Sequence, residues 1–533
     1  MIMFCNAKSS NADPNPASAF GKRITIEKSS KAREGFFEEM TTFGQAGARL
    51  AIDLGAASGR VFLGHLQRDL LEIQEIHRFP NHAVREGLTL RWDTARLWSE
   101  VRSAFTSTDL PEIASIGVDA WGVDYALLGG KGELLEAPLH YRDPRNVTAM
   151  AEVLQIISKD EIYGTTGVQF MPINTLYQLF AAKRHTPDIL RAAQKMVMIP
   201  DLFHFWLSGN ASCEYTAAST TQFANPVGRC WARSLLEKLG LPAQLPAPIR
   251  EPGSVLGMLL PELRTSQLKR TCVVAPASHD TASAVAAVPA SGDTAFLSSG
   301  TWSLLGTEVA EPVITADALD LNFTNEGGVA GTTRLLKNVM GLWMLQCCRK
   351  SFDARGQRLT YNELIDAAAH AESFQHLVDP DDAAFLNPED MVTAVDAFCH
   401  KTDQATPAAP GAYVRAILES LAFKYRLVIR SLEQVVGHRI DRIRVIGGGS
   451  QNSLLNQFTA NATGKTVYAG PAEAAVLGNL GVQMITTGEI GSLRELRALI
   501  DRSFRTDVYE PVETDLWTAE AHRFQQYCEF SYA

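Results

Sequence analysis

The stretch Arg49-Leu50-Ala51-Ile52-Asp53-Leu54-Gly55-Ala56-Ala57-Ser58-Gly59-Arg60 reads as a short apolar strand that ends on an acid and turns through small residues. More strand follows in Val61-Phe62-Leu63. Glycine lets a backbone approach an anionic ligand, and a tight turn can aim N–H groups at phosphate oxygens. Asp53 then stands where Mg2+, or its water shell, would be held. The plainer reading is a hairpin turn with a capping aspartate. Arg60 is either a phosphate contact or a solvated strand residue.

Far down the chain the layout returns. Thr294-Ala295-Phe296-Leu297 is a second strand, and its end, Ser298-Ser299-Gly300-Thr301, is laid out like the turn after Asp53. The amides of Ser299 to Thr301 and the Thr301 hydroxyl would cradle β- and γ-phosphates. A third strand, Ile443 to Ile446, runs into Gly447-Gly448-Gly449. A merely structural turn rarely needs three glycines, because each costs conformational entropy. Such a turn suits a nucleotide lying on bare backbone. Two strand–turn cradles hint at duplication, although the sequences are not repeats.

Between them lies Ser278-His279-Asp280-Thr281-Ala282-Ser283. The Asp280 carboxylate could accept the proton of a sugar hydroxyl attacking a γ-phosphate; the alternative is a helix N-cap. His279 is a substrate contact or a packed histidine. Trp121 and Gly122, between Asp119 and Asp124, could form a sugar platform or a buried strand end. Arg142-Asp143 is a substrate-binding pair or an exposed salt-bridged turn. Asn338 and Gln346, eight residues apart, are predicted to share one helix face bordering the same cleft.

Composition bounds these readings. A chain of 533 residues predicts two domains. With 46% hydrophobic and 20% charged residues it belongs with globular enzymes rather than disordered chains. A formal charge of -10 argues against nucleic acid as a partner. Eight scattered cysteines form no CxxC and no metal-ligand spacing with histidine, so reduced thiols are expected. No apolar run approaches the roughly 18 residues of a membrane span, and the polar segment 1–47 has no secretion-type apolar core. A flexible extension and a cytoplasmic location are the expectations.

The ordered set of motifs resembles the FGGY family of carbohydrate kinases. The resemblance runs from Leu50 to about Val512, and is carried by Asp53 to Arg60, Asp119 to Asp124, Asn174 to Leu179, Ala277 to Val285, Leu297 to Leu304, Leu336 to Trp343 and Ile446 to Asn452. It implies an α/β fold of two actin-like, ribonuclease-H-type domains with an interdomain nucleotide cleft. The extension 1–47 would precede a sugar-binding domain at 48–288 and a nucleotide-binding domain at 289–525. ATP and Mg2+ would bind, and the substrate loop Trp121 to Asp124 implies phosphorylation of L-rhamnulose on O1. Asp280 matches the proton acceptor. Gly122, His279, Thr281 and Asn338 match sugar contacts. Ala56, Ala57, Ser58, Gly59, Arg60, Thr301, Gln346 and a glycine of Gly447 to Gly449, Gly447 or Gly448, match nucleotide contacts. Ala57 stands where relatives often carry a hydroxyl. The alternatives are a kinase of another ketose or deoxy sugar such as L-fuculose, and a non-catalytic actin-like ATP-binding protein.

Overall fold

A computed structural model describes residues 47–532 apart from 88, 107–109 and 290. Apart from Gly47, the expected flexible extension lies outside the described residues. The first sheet is built from β1 (Ala48–Leu54), β2 (Ser58–Gln67), β3 (Leu70–Pro80), β4 (Ile113–Ala120), β5 (Ser254–Met258) and β6 (Cys272–Ala275). Its strand order is β5-β6-β4-β1-β2-β3. β1 is buried along its whole length, as befits an apolar strand covered on both faces.

A second sheet comprises β7 (Thr294–Ser299), β8 (Trp302–Val309), β9 (Thr324–Gly327), β10 (Thr333–Met340), β11 (Arg442–Ile446), β12 (Thr466–Ala469) and β13 (Asp507–Tyr509). Its order is β9-β10-β8-β7-β11-β12-β13. The two sheets are built alike. In each, the first strand pairs antiparallel with the next (β1 with β2, β7 with β8), which pairs antiparallel with a third. On its other side the first strand runs parallel to a later strand, β4 or β11. The expected pair of ribonuclease-H-type α/β lobes is therefore present, and the duplication is visible in topology rather than in residues.

Four helices position the cleft: α1 (Asp280–Ala286), α2 (Trp343–Ala354), α3 (Pro410–Val436) and α4 (Ala474–Thr486). α3 begins at Pro410, where proline fits the first turn, and stops at left-handed Gly437 (φ 73°). α4 follows the second sheet's β12 in sequence but packs on the first sheet. Its Gln483 Nε2 donates to Leu50 O at 3.0 Å, and its Asn479 Nδ2 donates to Asp119 Oδ2 at 2.6 Å.

After β4 the short strand Tyr125–Leu128 pairs antiparallel with a distant one, Lys195–Met198, which lies between the helices Pro187–Ala192 and Ile199–Ser208. The cysteines among the described residues are unpaired.

Candidate active site

The β1–β2 and β7–β8 hairpin tips open on one cavity of about 340 Å³. At the first tip Gly55 N donates to Ser58 O at 2.9 Å. Asn81 holds the loop from behind: its Nδ2 donates to Gly55 O, and its N–H donates to Ala57 O. With these carbonyls committed to Asn81, the bend of Ala56, Ala57 and Ser58 lines the cavity. At the second tip Gly300 N donates to Trp302 O. That amide closes the turn and is not free for a phosphate, so the cradle expected at Ser299 to Thr301 is smaller than predicted. Thr301 lines the cavity. Gly447, at φ 80°, lies against the Ser299 carbonyl, while no atom stands within 4 Å of where a Gly448 Cβ would be.

Asp280 opens α1 at the same cavity, with 31% of its side-chain surface exposed. Its N-cap is His279, so Asp280 is not the cap. Its Oδ1 accepts from the N–H of Thr281. Burial raises its carboxyl above the ordinary value, His279 works against this, and Asp53 adds to it. Arg60 pairs with both Asp53 and Glu473. Burial works against that guanidinium charge, but the two acids outweigh it. Asp119, beside Asp53 in the β1–β4 register, is fully buried, and burial raises its carboxyl well above the ordinary range.

The segment bearing Trp121 and Gly122 is tied to the base: Ala120 N donates to Ser278 O at 2.9 Å. Trp121 Nε1 donates to Asp124 Oδ2 at 3.0 Å, and the ring packs 4.2 Å from that of Trp92. Gly122 is tightly enclosed: a Cβ would lie 3.0 Å from Thr220 and 3.2 Å from His279 Nε2, so a neighbouring side chain would have to give way. Val123 follows with φ 64°, a strained value for a β-branched residue. The strain is held by Thr220, whose Oγ1 accepts from Val123 N, and by Thr175 and Gln178, which donate to Val123 O.

Fourteen of the fifteen expected contacts and Asp53 behave alike in one respect: Asp53, Ala56, Ala57, Ser58, Arg60, Trp121, Gly122, His279, Asp280, Thr281, Thr301, Asn338, Gln346, Gly447 and Gly448 all line this cavity. Gly59 does not. Within β2 it faces Phe79 of β3, and a Cβ would lie 2.2 Å from that ring. Its glycine is a packing requirement. Asn338 and Gln346 do not share a helix: Asn338 is on β10 and Gln346 on α2. Gly341 makes the break, pressed so close that a Cβ would stand 2.7 Å from Gly300 O. Arg142 does not line this cavity and is not an exposed turn. It is buried, its guanidinium 4.2 Å from the Trp343 ring and 5.0 Å from that of Trp302, and so joins the two lobes.

Residues not anticipated complete the wall. Gln169 Oε1 accepts from Asn338 N at 2.8 Å and from Asn338 Nδ2 at 3.1 Å, fixing that amide across the cleft. Glu326 also lines the cavity. Burial pushes its carboxyl up, but the charge of the Arg334 guanidinium works against this and helps hold it below the ordinary range. An acid in the fully buried strand Thr324-Asn325-Glu326-Gly327 is the one signal that would have flagged it. Nothing local in the sequence marks Gln169 or Asn81.

Two duplicated lobes closing on a partly open carboxylate, opposite glycine-rich turns, define the class: a phosphotransferase acting on a hydroxyl compound. The chain belongs to the FGGY family of carbohydrate kinases. Residues 48–287 match the family's N-terminal domain and residues 295–487 its C-terminal domain. It is 44% identical over 479 residues to a rhamnulokinase of Bacteroides thetaiotaomicron, covering 89% of this chain and 98% of that one. It is 42% identical over 469 residues to a rhamnulokinase of Oceanobacillus iheyensis, covering 87% and 98%. Among solved structures it resembles gluconate kinase from Lactobacillus acidophilus, with a TM-score of 0.74, 18% identity, and coverage of 91% and 98%. Xylulose kinase from the same organism gives a TM-score of 0.73 at 18% identity, with coverage of 91% and 97%. At such identities these structures share the fold.

Proposed function

We propose that the protein transfers the γ-phosphoryl group of ATP to O1 of L-rhamnulose, giving L-rhamnulose 1-phosphate and ADP, in L-rhamnose catabolism. The observation that carries this is Asp280, a carboxylate open to the cavity beside Trp121, Gly122 and His279, in a chain whose relatives at 38–44% identity are rhamnulokinases. Residues 48–288 then form the sugar-binding domain and 289–525 the nucleotide-binding domain.

The sugar lies against Trp121, with Gly122, His279, Thr281 and Asn338 as its contacts. Asp280 takes the O1 proton as that oxygen attacks. Ala56, Ala57, Ser58, Arg60, Thr301, Gln346 and Gly447 or Gly448 hold the nucleotide. Mg2+ enters with ATP as part of the substrate, and Asp53 is the residue that would hold it or its waters. The donor set fits: such an ion keeps several waters and takes only one or two carboxylates besides phosphate. Among the described residues no group of three or more acids, histidines or cysteines is placed to bind a metal alone. The ion would neutralise charge on the transferring phosphoryl group. Closure of the lobes excludes water, a competing acceptor. No described helix is long and apolar enough to cross a membrane, and a cytoplasmic location fits a reaction that draws on ATP.

The test is ADP release with Mg-ATP across L-rhamnulose, L-fuculose, L-xylulose, L-ribulose, D-fructose and glycerol. Preference for L-rhamnulose supports the assignment. Preference for another sugar overturns the substrate and keeps the kinase.

A further inference from the structure

His279 presents its two ring nitrogens to different surroundings. Nε2 lies on the substrate side, 3.5 Å from Asp280 Oδ1 and against Gly122. Nδ1 points the other way, toward β9 and β10 of the second lobe. There it meets Arg334 Nη2 at 3.2 Å and Glu326 Oε2 at 3.3 Å. Arg334 has no exposed side-chain surface. Its Nε donates to Gly327 O at 2.8 Å, and its Nη2 lies 3.1 Å from Glu326 Oε2.

A guanidinium has donors and no acceptor, and it keeps its charge in proteins. A ring nitrogen hydrogen-bonded to it must therefore be the acceptor. Glu326 asks for the opposite, because a carboxylate at Nδ1 would take an Nδ1–H. Geometry separates the two. The Arg334 contact has hydrogen-bond geometry, whereas Glu326 Oε2 makes no hydrogen bond among the described residues and stands as the counter-charge of Arg334. The ring proton is thereby assigned to Nε2, on the side of the base and the cavity.

We propose that Arg334, with Glu326 as its counter-charge, is a positioning residue that locks His279 in the Nε2–H tautomer, so that the ring donates to a sugar oxygen beside Asp280. In the reverse tautomer a lone pair would face the Asp280 carboxylate and any sugar oxygen between them, and the ring would offer no donor. Arg334 itself does not line the cavity and touches no reacting atom. The second lobe thus contributes to sugar recognition through a histidine that belongs to the first.

The kinetic part rests on the kinase reading above; the tautomer part does not. Heteronuclear NMR of the imidazole nitrogens in the full chain, assigned with His279→Gln, reads the tautomer without any ligand. The expected result is an unprotonated Nδ1 and a protonated Nε2, retained in Arg334→Lys, whose ammonium also only donates, and lost or mixed in Arg334→Met. In Arg334→Met the KM for L-rhamnulose should rise about tenfold, with the KM for ATP unchanged and most of the effect reversed in Arg334→Lys. A protonated Nδ1 in the unmodified protein overturns the proposal, whether or not the methionine variant folds. So does a folded Arg334→Met whose tautomer and KM do not move. Should L-rhamnulose fail as a substrate while Nε2 carries the proton, the substrate assignment falls and the positioning role stands.

Discussion

Gly478 of α4 crosses Ser283 of α1 so closely that a Cβ on the glycine would stand 1.7 Å from the Ser283 carbonyl oxygen. Ser283 lies one turn beyond Asp280, so the base rides on a helix crossing with no space for a methyl group. The obstacle is backbone, which cannot swing aside like a side-chain tip. Gly478→Ala is expected to lower stability by about 1–3 kcal/mol and to reduce kcat more than KM. Denaturant unfolding and steady-state assays check both; unchanged values would show slack at the crossing.

Asp280 must be ionised to accept a proton, and burial raises its carboxyl above the ordinary value of 3.8. Below its pKa the base is occupied, so kcat/KM should fall as pH drops through a value higher than that of a free aspartate. A profile from about pH 5 to about pH 9 measures this limb. Asp280→Asn should abolish it and lower kcat by roughly 10²–10⁴-fold, with nucleotide affinity retained. An asparagine variant with the same limb would assign it to another group.

Three donors converge on Asp124 Oδ2: Trp92 Nε1 at 2.6 Å, Trp121 Nε1 at 3.0 Å and Tyr141 N at 3.3 Å. Burial nevertheless outweighs them and pushes the carboxyl up from 3.8 to about 7. The folded state therefore favours the protonated form. The stability this contributes is complete below 3.8 and is lost as pH rises to about 7. Asp124→Asn cannot titrate, so the melting temperature of the unmodified protein should fall relative to the variant across that window and then level off. Parallel Tm curves would refute the shift.

Gly59 separates packing from ligand binding. Gly59→Ala places a methyl group against the buried Phe79 ring and should destabilise by about 1–3 kcal/mol. Phe79→Ala in the same chain should recover part of that loss, seen as a favourable coupling in a double-mutant cycle. The ATP affinity of folded Gly59→Ala should stay unchanged. A selective loss of ATP binding would restore the nucleotide role.

Gln169 reaches across the cleft to Asn338 with three hydrogen bonds, at 2.8, 3.1 and 3.2 Å. Gln169→Leu should free that amide and raise the KM for the sugar about tenfold while leaving the KM for ATP alone. Equal KM values in variant and parent would mean that Asn338 is held by its strand alone.

By itself the sequence determined what depends on neighbours along the chain. Leu50 to Arg60 and Thr294 to Thr301 read as strand and turn because apolar runs end in small residues within a few positions. His279-Asp280-Thr281, the glycine turn and Trp121-Gly122 were legible in the same way, as compact groups of chemically distinctive residues. The tertiary structure decided what depends on residues far apart in the chain. Asn338 and Gln346 have helical spacing, yet a close approach of Gly341 to Gly300 puts one on a strand and the other on a helix. Gly59 looks like part of a phosphate loop until Phe79 is seen packed on it. Arg334 meets His279 from 55 residues away, and α4 crosses to the first sheet from 360 residues beyond Asp119 and 433 beyond Leu50. Local pattern carries no record of such meetings, because they depend on how elements distant in the chain pack against one another.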